Sequence, residues 1–89
     1  MTKEKVLSVK SGENERIIRY YIEKRAASEN EFGCDMYAVG IEDGESKSEI
    51  ENFSPDISEA ESLFEYLYKN LVTANCLYAA AEEFVVNAL

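Results

Sequence analysis

The segment Ser54–Leu89 constrains the fold most, because it predicts two short helices joined by a tight turn at Val72-Thr73. The first helix is predicted over 57–70, after a Ser-Pro start signal. Its apolar residues recur at about 100° per residue and form one stripe: Ile57, Ala60, Leu63, Phe64, Leu67, Tyr68 and Leu71. Tyr66 lies outside this stripe, so we expect its ring at the surface or in a separate contact. The pattern predicts an amphipathic helix that packs on a core.

The second helix is predicted over 74–88, and Thr73 is its expected N-cap. A turn this short forces the two helices into an antiparallel hairpin. The apolar residues of the second helix cover about half of its circumference, which is more than one neighbouring surface requires: Leu77, Tyr78, Ala80, Ala81, Phe84, Val85, Ala88 and Leu89. Either the helix is wedged between the first helix and a sheet, or part of its surface contacts another molecule. We favour the wedge, because a helix that is apolar over a wide arc is usually buried.

Four β-strands are predicted upstream of the helices, over residues 5–10, 16–25, 34–43 and 46–52. The second strand has the highest β propensity, and its residues alternate between two faces. Ile18, Tyr20 and Ile22 lie on one face, which we expect to meet the core, and Ile17, Arg19 and Tyr21 lie on the other. Gly40 in the third strand suits a bulge or the close approach of a helix.

This order of elements predicts the fold class. An antiparallel meander with one apolar face, followed by a helical hairpin, has one economical arrangement, in which the hairpin covers that face. We therefore predict a two-layer α+β fold, with a three- to four-stranded sheet and the hairpin packed on one side of it. The length of the chain predicts that residues 1–89 form one domain.

The composition argues against several kinds of chemistry. The chain has no histidine, which removes the commonest general base and the commonest zinc ligand. No nucleophile with a base, no set of metal ligands and no phosphate-binding loop is legible, so we expect no enzyme activity, no metal site and no cofactor. The net charge of −9 repels phosphate, so we expect no direct binding to nucleic acid.

The sequence carries few signals of location. No apolar run approaches the ~20 residues of a membrane span, and the first residues show no secretory segment, so we expect a cytoplasmic protein that does not associate with a membrane. Cys34 and Cys76 lie far apart in the chain. We expect both to be reduced structural thiols, because buried free cysteine behaves as a small hydrophobic residue.

Five acidic residues lie close together around the turn between the third and fourth strands and along the fourth strand: Glu42, Asp43, Glu45, Glu49 and Glu51. One interpretation is a row of charges that imitates phosphates or binds a divalent cation, although the spacing of a calcium loop is missing. The other is a solvated edge strand that resists aggregation. We favour the solvated edge.

Several short motifs lie in the last part of the chain: YAVGIE at 37–42, FSPD at 53–56, LFEYLYKN at 63–70, VT at 72–73, LY at 77–78 and EEFV at 82–85. Their order resembles an uncharacterised family of small proteins from Clostridia-like Gram-positive bacteria, a domain of unknown function. The chain departs from that family after the Val-Thr pair, where Ala74 and Cys76 stand in place of the usual proline and histidine. The resemblance implies one compact intracellular domain and no particular activity.

Two classes of function follow from these observations. The first is a small interaction or regulatory module that binds another protein, or a second copy in a homodimer, through the open face of the sheet or the apolar arc of the last helix. The second is an acidic inhibitor that occupies the nucleic-acid-binding groove of a partner protein, as phage-type antagonists of defence systems do. The candidate contact residues are Glu42, Asp43, Glu45, Glu49, Glu51, Ile17, Tyr21, Tyr66, Tyr78 and Val85.

Overall fold

The computed structural model describes residues 2–88, in which a four-stranded antiparallel sheet is followed by two helices. The strands are β1 (Lys3–Ser11), β2 (Asn14–Arg25), β3 (Met36–Asp43) and β4 (Ser46–Ser54), and their order in the sheet is β1-β2-β3-β4. The helices, α1 (Ile57–Lys69) and α2 (Leu77–Ala88), lie on one face of this sheet. The predicted two-layer α+β fold is therefore confirmed.

The β1-β2 hairpin is longer than predicted, because polar residues near its turn also pair across the strands, whereas the β3-β4 turn lies where it was predicted. Ser11 lies opposite Asn14, and Asp43 lies opposite Ser46, so each turn has only two central residues. The first of these two is a glycine at positive φ, 64° at Gly12 and 63° at Gly44. A type II′ turn requires a positive φ at this position, and its twist matches that of the flanking strands.

The connection between β2 and β3 is organised by one side chain. The Asn30 amide donates to the carbonyls of Arg25 (3.2 Å), Ala26 (3.0 Å) and Cys34 (2.9 Å). Its oxygen accepts from the backbone N–H of Phe32 at 2.8 Å. Because Cys34 belongs to this loop, β3 begins two residues later than predicted.

Asp56 is the N-cap of α1, and its side chain accepts from the N–H of Ser58 at 2.8 Å. It ends in a Schellman motif, in which the N–H of Val72 donates to the carbonyl of Leu67 (3.0 Å) and the N–H of Leu71 to that of Tyr68 (3.3 Å). Leu71 has a φ of 49° in this motif. The chain therefore reverses at Leu71, before the predicted turn at Val72-Thr73.

The second helix is preceded by a single 3-10 turn at Ala74–Cys76, so α2 begins at Leu77 and not at residue 74. The N–H of Cys76 donates to the carbonyl of Thr73 at 3.0 Å. The side chain of Thr73 makes no capping hydrogen bond, so its predicted role as an N-cap is wrong. Backbone hydrogen bonding of the 3-10 turn takes the place of the side-chain cap.

The core lies between the sheet and the helices, and the alternation in β2 predicts it correctly. Its buried members are Ile18, Tyr20, Ile22, Val39, Ile41, Ala60, Leu63, Phe64, Leu67, Ala74, Leu77 and Ala81. The hydroxyl of Tyr20 donates to the carbonyl of Val72 at 2.9 Å, which ties the turn between the helices to β2. Burial raises the pKa of Tyr20 to about 12. Phe53, near the end of β4, packs against this core.

Candidate protein-binding surface

The open face of the sheet is the first surface that the sequence proposes for contacts, and its centre is already covered. Tyr21 lies on this face but has no exposed surface. Its hydroxyl donates to a carboxylate oxygen of Glu49 at 2.8 Å, and the Arg19 guanidinium lies 4.6 Å from the ring centroid. Burial and the hydrogen bond to Glu49 raise the pKa of Tyr21. The proposal that Tyr21 contacts a partner is therefore corrected, because this ring packs within the protein.

The space for the Tyr21 ring is provided by Gly40, the residue opposite it in β3. A Cβ on Gly40 would lie 2.3 Å from Cζ of Tyr21. The bulge is elsewhere, at the register shift between Tyr37 and Val39. The predicted close approach at Gly40 is thus made by a side chain on the open face, and not by a helix.

Two arginines form ion pairs with four carboxylates of the open face. Arg19 donates to Glu4 (2.7 Å) and to Glu42 (2.5 Å). Arg25 donates to Glu23 (2.6 Å) and to Glu49 (3.1 Å), and its hydrogen bond lowers the pKa of Glu23. This face is therefore satisfied by internal partners over most of its area.

The five acidic residues at the end of β3, in the turn that follows it and in β4 do not form one row. Asp43 points to the helix-covered side, where its buried carboxylate accepts from Nε of Arg16 at 2.7 Å and also pairs with Nη2. Glu42 and Glu49 pair with arginines on the opposite face. Among residues 2–88, only Glu45 and Glu51 of the five take part in no ion pair. Strand alternation divides the set, so the prediction of one crowded, solvated edge is wrong for Asp43 and Glu49, whose side chains are mostly out of solvent.

The second proposed surface, on α2, is open. Leu77 and Ala81 are buried against the core, but Tyr78 and Val86 are each 62% exposed. Within the predicted arc, the wedge between α1 and the sheet holds for Leu77, Ala80, Ala81 and Phe84, which pack on the core, and is wrong for Tyr78 and Val85, which are exposed. The side chain of Ala88 and the whole of Leu89, which the sequence places in the same arc, lie outside the described residues.

We call the exposed apolar part of the two helices the hairpin surface, and define it as Leu71, Cys76, Tyr78, Ala79, Val85 and Val86. Leu71 and Ala79 line a shallow groove between the turn and α2, together with Val72 and Cys76. Ala79 and Val86 are seven residues apart, as are Tyr78 and Val85, so each pair lies along the same side of α2. Glu82 and Glu83 lie on the helical turn between these pairs, so carboxylates interrupt the exposed apolar residues of α2.

Two tyrosines near this surface have different roles. The hydroxyl of Tyr78 donates to the backbone carbonyl of Glu49 at 2.7 Å, so its ring lies beside β4 with one side in solvent. Tyr66 is half-buried, and its ring centroid lies 5.5 Å from that of Phe84. The expected contact of Tyr66 is therefore with α2, and Tyr66 is removed from the candidate residues for an external partner.

The electrostatics of the hairpin surface are one-sided. Glu82 and Glu83 lie on the exposed side of α2, and the chain contains no lysine or arginine after Lys69.

Cys34 and Cys76 are free, but both are exposed, so the expectation that they are buried is wrong. No group of three or more potential metal-ligating side chains is found among the described residues. Within residues 2–88, neither helix is long and apolar enough to cross a membrane.

These features define a small two-layer α+β protein with an open, apolar and acid-flanked helical surface. The chain belongs to the family described as Family of unknown function (DUF6514), whose model matches residues 2–87. The resemblance to an uncharacterised family is thereby confirmed. No curated protein and no solved structure matches the chain.

Sequence reasoning missed the role of Leu71, which it placed in the core stripe of α1. Leu71 is 49% exposed, because the chain leaves the helical conformation at this residue. The usual signal of a Schellman motif is a glycine at this position, and the chain has leucine there instead. Val86 was missed because the predicted apolar arc of the second helix did not include it.

Proposed function

We propose that this protein is a small, non-enzymatic interaction module whose hairpin surface binds a basic amphipathic segment of another protein. The observation that carries the proposal is the exposed leucine in a left-handed conformation. Leu71 has a φ of 49°, and a left-handed backbone costs a non-glycine residue roughly 1–2 kcal/mol. The backbone conformation of Leu71 is unfavourable, and its side chain is half in solvent. A contact of this side chain with another molecule explains best why leucine stands at this position.

The neighbouring residues support the same assignment. Tyr78, Val85 and Val86 add exposed apolar side chains on α2, and exposed apolar area on a protein surface often marks a contact site. The groove beside the turn admits an apolar side chain between Leu71 and Ala79. An amphipathic helix presents apolar residues three and four positions apart, which suits such a groove and the ridge beside it.

The charge of the partner follows from the charge of the chain. Glu82 and Glu83 flank the apolar residues, and the whole chain carries −9. A second copy of the hairpin surface would bring these carboxylates together, which like-charge repulsion opposes. A segment with lysine or arginine beside its apolar stripe is complementary in both respects, so we propose a basic segment as the occupant.

The test uses a defined probe, an amphipathic helical peptide of leucine and lysine, and a scrambled peptide of the same composition. We expect the full chain to bind the amphipathic peptide in fluorescence anisotropy, and both Leu71→Gly and Val86→Ser to weaken it by about tenfold. Val6→Thr is the matched control, because Val6 is as exposed as Leu71 but lies on the other side of the sheet. Its affinity should equal that of the wild type.

Two outcomes contradict the proposal. Equal affinity for the scrambled peptide would mean that charge alone attracts the probe. Unchanged binding by Leu71→Gly and Val86→Ser would place the contact elsewhere. Circular dichroism of each variant separates a lost contact from a lost fold.

A second candidate function is an acidic inhibitor that occupies a cationic, nucleic-acid-binding groove of a partner. Its support is the set of exposed acids that take part in no ion pair among the described residues, of which Glu45, Glu51, Glu82 and Glu83 are members. Charge mimicry requires an affinity that falls steeply with salt. If binding to a captured partner is equally tight at low and high salt, this candidate is eliminated.

The proposal also includes a location and a source. The two free thiols favour a reducing compartment, so we propose the cytoplasm. The motif resemblance favours a bacterium of the Clostridia type.

A further inference from the structure

The strand β1 forms an open edge of the sheet, and we propose that it pairs antiparallel with β1 of a second copy, so that Glu4 of each lies opposite Lys10 of the other. The partner is thus a second copy of this chain, and the product is a homodimer with one continuous eight-stranded sheet. This surface is separate from the hairpin surface.

The two edges of the sheet differ. At β4, the Tyr78 hydroxyl donates to the Glu49 carbonyl, and the 3-10 turn at Ala74–Cys76 packs beside the strand. At β1, strand β2 lies on one side, and no strand of the described chain lies on the other. β1 is nine residues long, which makes it a long edge for a small protein.

Symmetry restricts the register of such a dimer. A two-fold axis that relates adjacent antiparallel strands must run perpendicular to the sheet, so both helical layers lie on the same side. Centring the axis on Leu7 pairs the whole of Lys3–Ser11 with its copy. Centring it on Val6 or on Ser8 leaves part of the strand unpaired and places no acid opposite Lys10.

The charges favour the register centred on Leu7. Two of the three lysines of β1 are occupied within the chain, because Lys3 pairs with Glu61 at 2.9 Å and Lys5 lies 5.5 Å from the centroid of Tyr68. Lys10 is an exposed lysine in no ion pair of the described chain. Oε2 of Glu4 accepts a hydrogen bond from Nε of Arg19, and Oε1 of the same carboxylate is available to Lys10 of the second copy.

The apolar residues of the strand agree with the same register. Leu7, which packs at the margin of the core, lies opposite Leu7 of the second copy on the helix side. On the open face, Ser8 lies between Ile17 of its own chain and Val6 of the second copy. Val6 and Ile17 are half-exposed in one chain, and the dimer joins them to their copies in one patch across the axis.

Backbone hydrogen bonding sets a further requirement, which supplies a variant for the test. The two-residue turn is closed by the pair Ser11–Asn14, so the odd residues of β1 bond to β2 and the even residues direct their N–H and C=O groups outward. Ser8→Pro removes an outward N–H without removing a hydrogen bond to β2. It should therefore weaken the dimer and leave the monomer folded.

The charge test is a mixing experiment on the full chain, followed by sedimentation equilibrium over a range from micromolar to about 1 mM. Wild type should shift with concentration from 10.1 kDa to twice that mass. Glu4→Lys and Lys10→Glu should each raise the dimer dissociation constant by about tenfold, because each places like charges opposite one another at two symmetric positions. A 1:1 mixture of the two variants should dimerise again, because every opposite pair is then complementary.

Three results would overturn the proposal. They are a wild type that stays monomeric at the highest concentration, a mixture that does not recover, and a dimer that Leu71→Gly and Val86→Ser weaken while Ser8→Pro does not. The last result would place the homodimer at the hairpin surface. Circular dichroism of Ser8→Pro must show an intact fold, and Ser8→Ala, which keeps the N–H, is its matched control and should dimerise as the wild type does.

Discussion

The ring of Tyr21 lies over the Cα of Gly40, in the space that the side chain of any other residue would take. A Cβ built on Gly40 would be 2.3 Å from both Cζ and the hydroxyl oxygen of Tyr21. The glycine leaves a gap in one strand, and the aromatic ring opposite fills it, which is a known way to stabilise a glycine within a sheet. The pair buries a tyrosine on the face of the sheet that carries no helix.

Gly40→Ala should therefore destabilise the protein, although alanine is the better strand residue of the two. We expect a loss of about 1–3 kcal/mol in the free energy of unfolding, because the ring must move. Urea denaturation measures it. In a Tyr21→Ala background the same substitution should cost nothing or stabilise slightly, and an equal cost in both backgrounds would mean that the ring is not the obstacle.

Arg16→Met should destabilise the protein more than the loss of an ordinary surface ion pair. The Asp43 side chain is only 7% exposed and receives two nitrogens of Arg16, so the variant leaves a buried carboxylate unpaired. We expect a cost above that of an exposed pair but below that of a fully buried pair, because Arg16 itself is half in solvent. Lys69→Met, which breaks the exposed pair with Glu65, should cost less than about 0.5 kcal/mol.

The control for Arg16→Met is the double variant with Asp43→Asn, which removes the charge that the arginine neutralises. The double variant should recover part of the lost stability. Equal stability of the single and double variants would show that the unpaired charge is not the cause.

Stability should fall in alkali as Tyr20 and Tyr21 ionise. Both pKa values are raised by burial, that of Tyr20 to about 12, whereas tyrosine in the unfolded chain titrates near 10.0. The folded state then holds protons that the unfolded state has lost, so their contribution is complete below pH 10 and is lost as the pH rises towards and through the folded pKa values. Each tyrosine should lower the free energy of unfolding by about 1.4 kcal/mol per pH unit in this range.

Urea denaturation at several pH values above 10 measures this slope, and tyrosinate absorbance follows the ionisation. Tyr20→Phe should remove the contribution of about one proton from this dependence of the free energy of unfolding on pH. If all six tyrosines ionise near their ordinary pKa without unfolding, burial of these two hydroxyls is not maintained in solution.

Leu71→Gly should stabilise the protein. Glycine adopts the left-handed conformation at no steric cost, and it is the usual residue at this position of a Schellman motif. We expect a gain of about 0.5–1 kcal/mol in the free energy of unfolding, measured in urea, because the lost side chain is half in solvent. Leu71→Ala keeps the strain and removes most of the side chain, so it should give no such gain. A loss of stability in Leu71→Gly would mean that this leucine is retained for packing.

The parts of the fold that a local pattern determines could be predicted from the sequence. The alternation in β2 identifies which face carries Ile18, Tyr20 and Ile22, and the helical period of α1 identifies Leu63 and Leu67 as core residues. Both patterns depend on burial against a single surface, so they are visible in one segment at a time.

The features that depend on distant partners could not be predicted in the same way. The burial of Tyr21 depends on a glycine in another strand, and the division of the acidic residues depends on which arginines face them across the sheet. The loop around Asn30 depends on hydrogen bonds to three carbonyls that no periodicity indicates. The exposed part of α2 depends on how far the sheet extends beneath it. Of the candidate contact residues, the structure leaves Tyr78 and Val85 exposed on the hairpin surface, and Ile17 half-exposed on the sheet.

The hydrogen bond from Tyr78 to the edge of β4 also limits how these molecules can assemble. A sheet with two free edges can recruit strands at both ends and grow into a filament. Here the tyrosine occupies a carbonyl that an incoming strand on that side would need, so strand addition at β4 would have to break this hydrogen bond. In the proposed dimer the two β1 edges are joined to each other, so further growth would have to begin at the protected β4 edges.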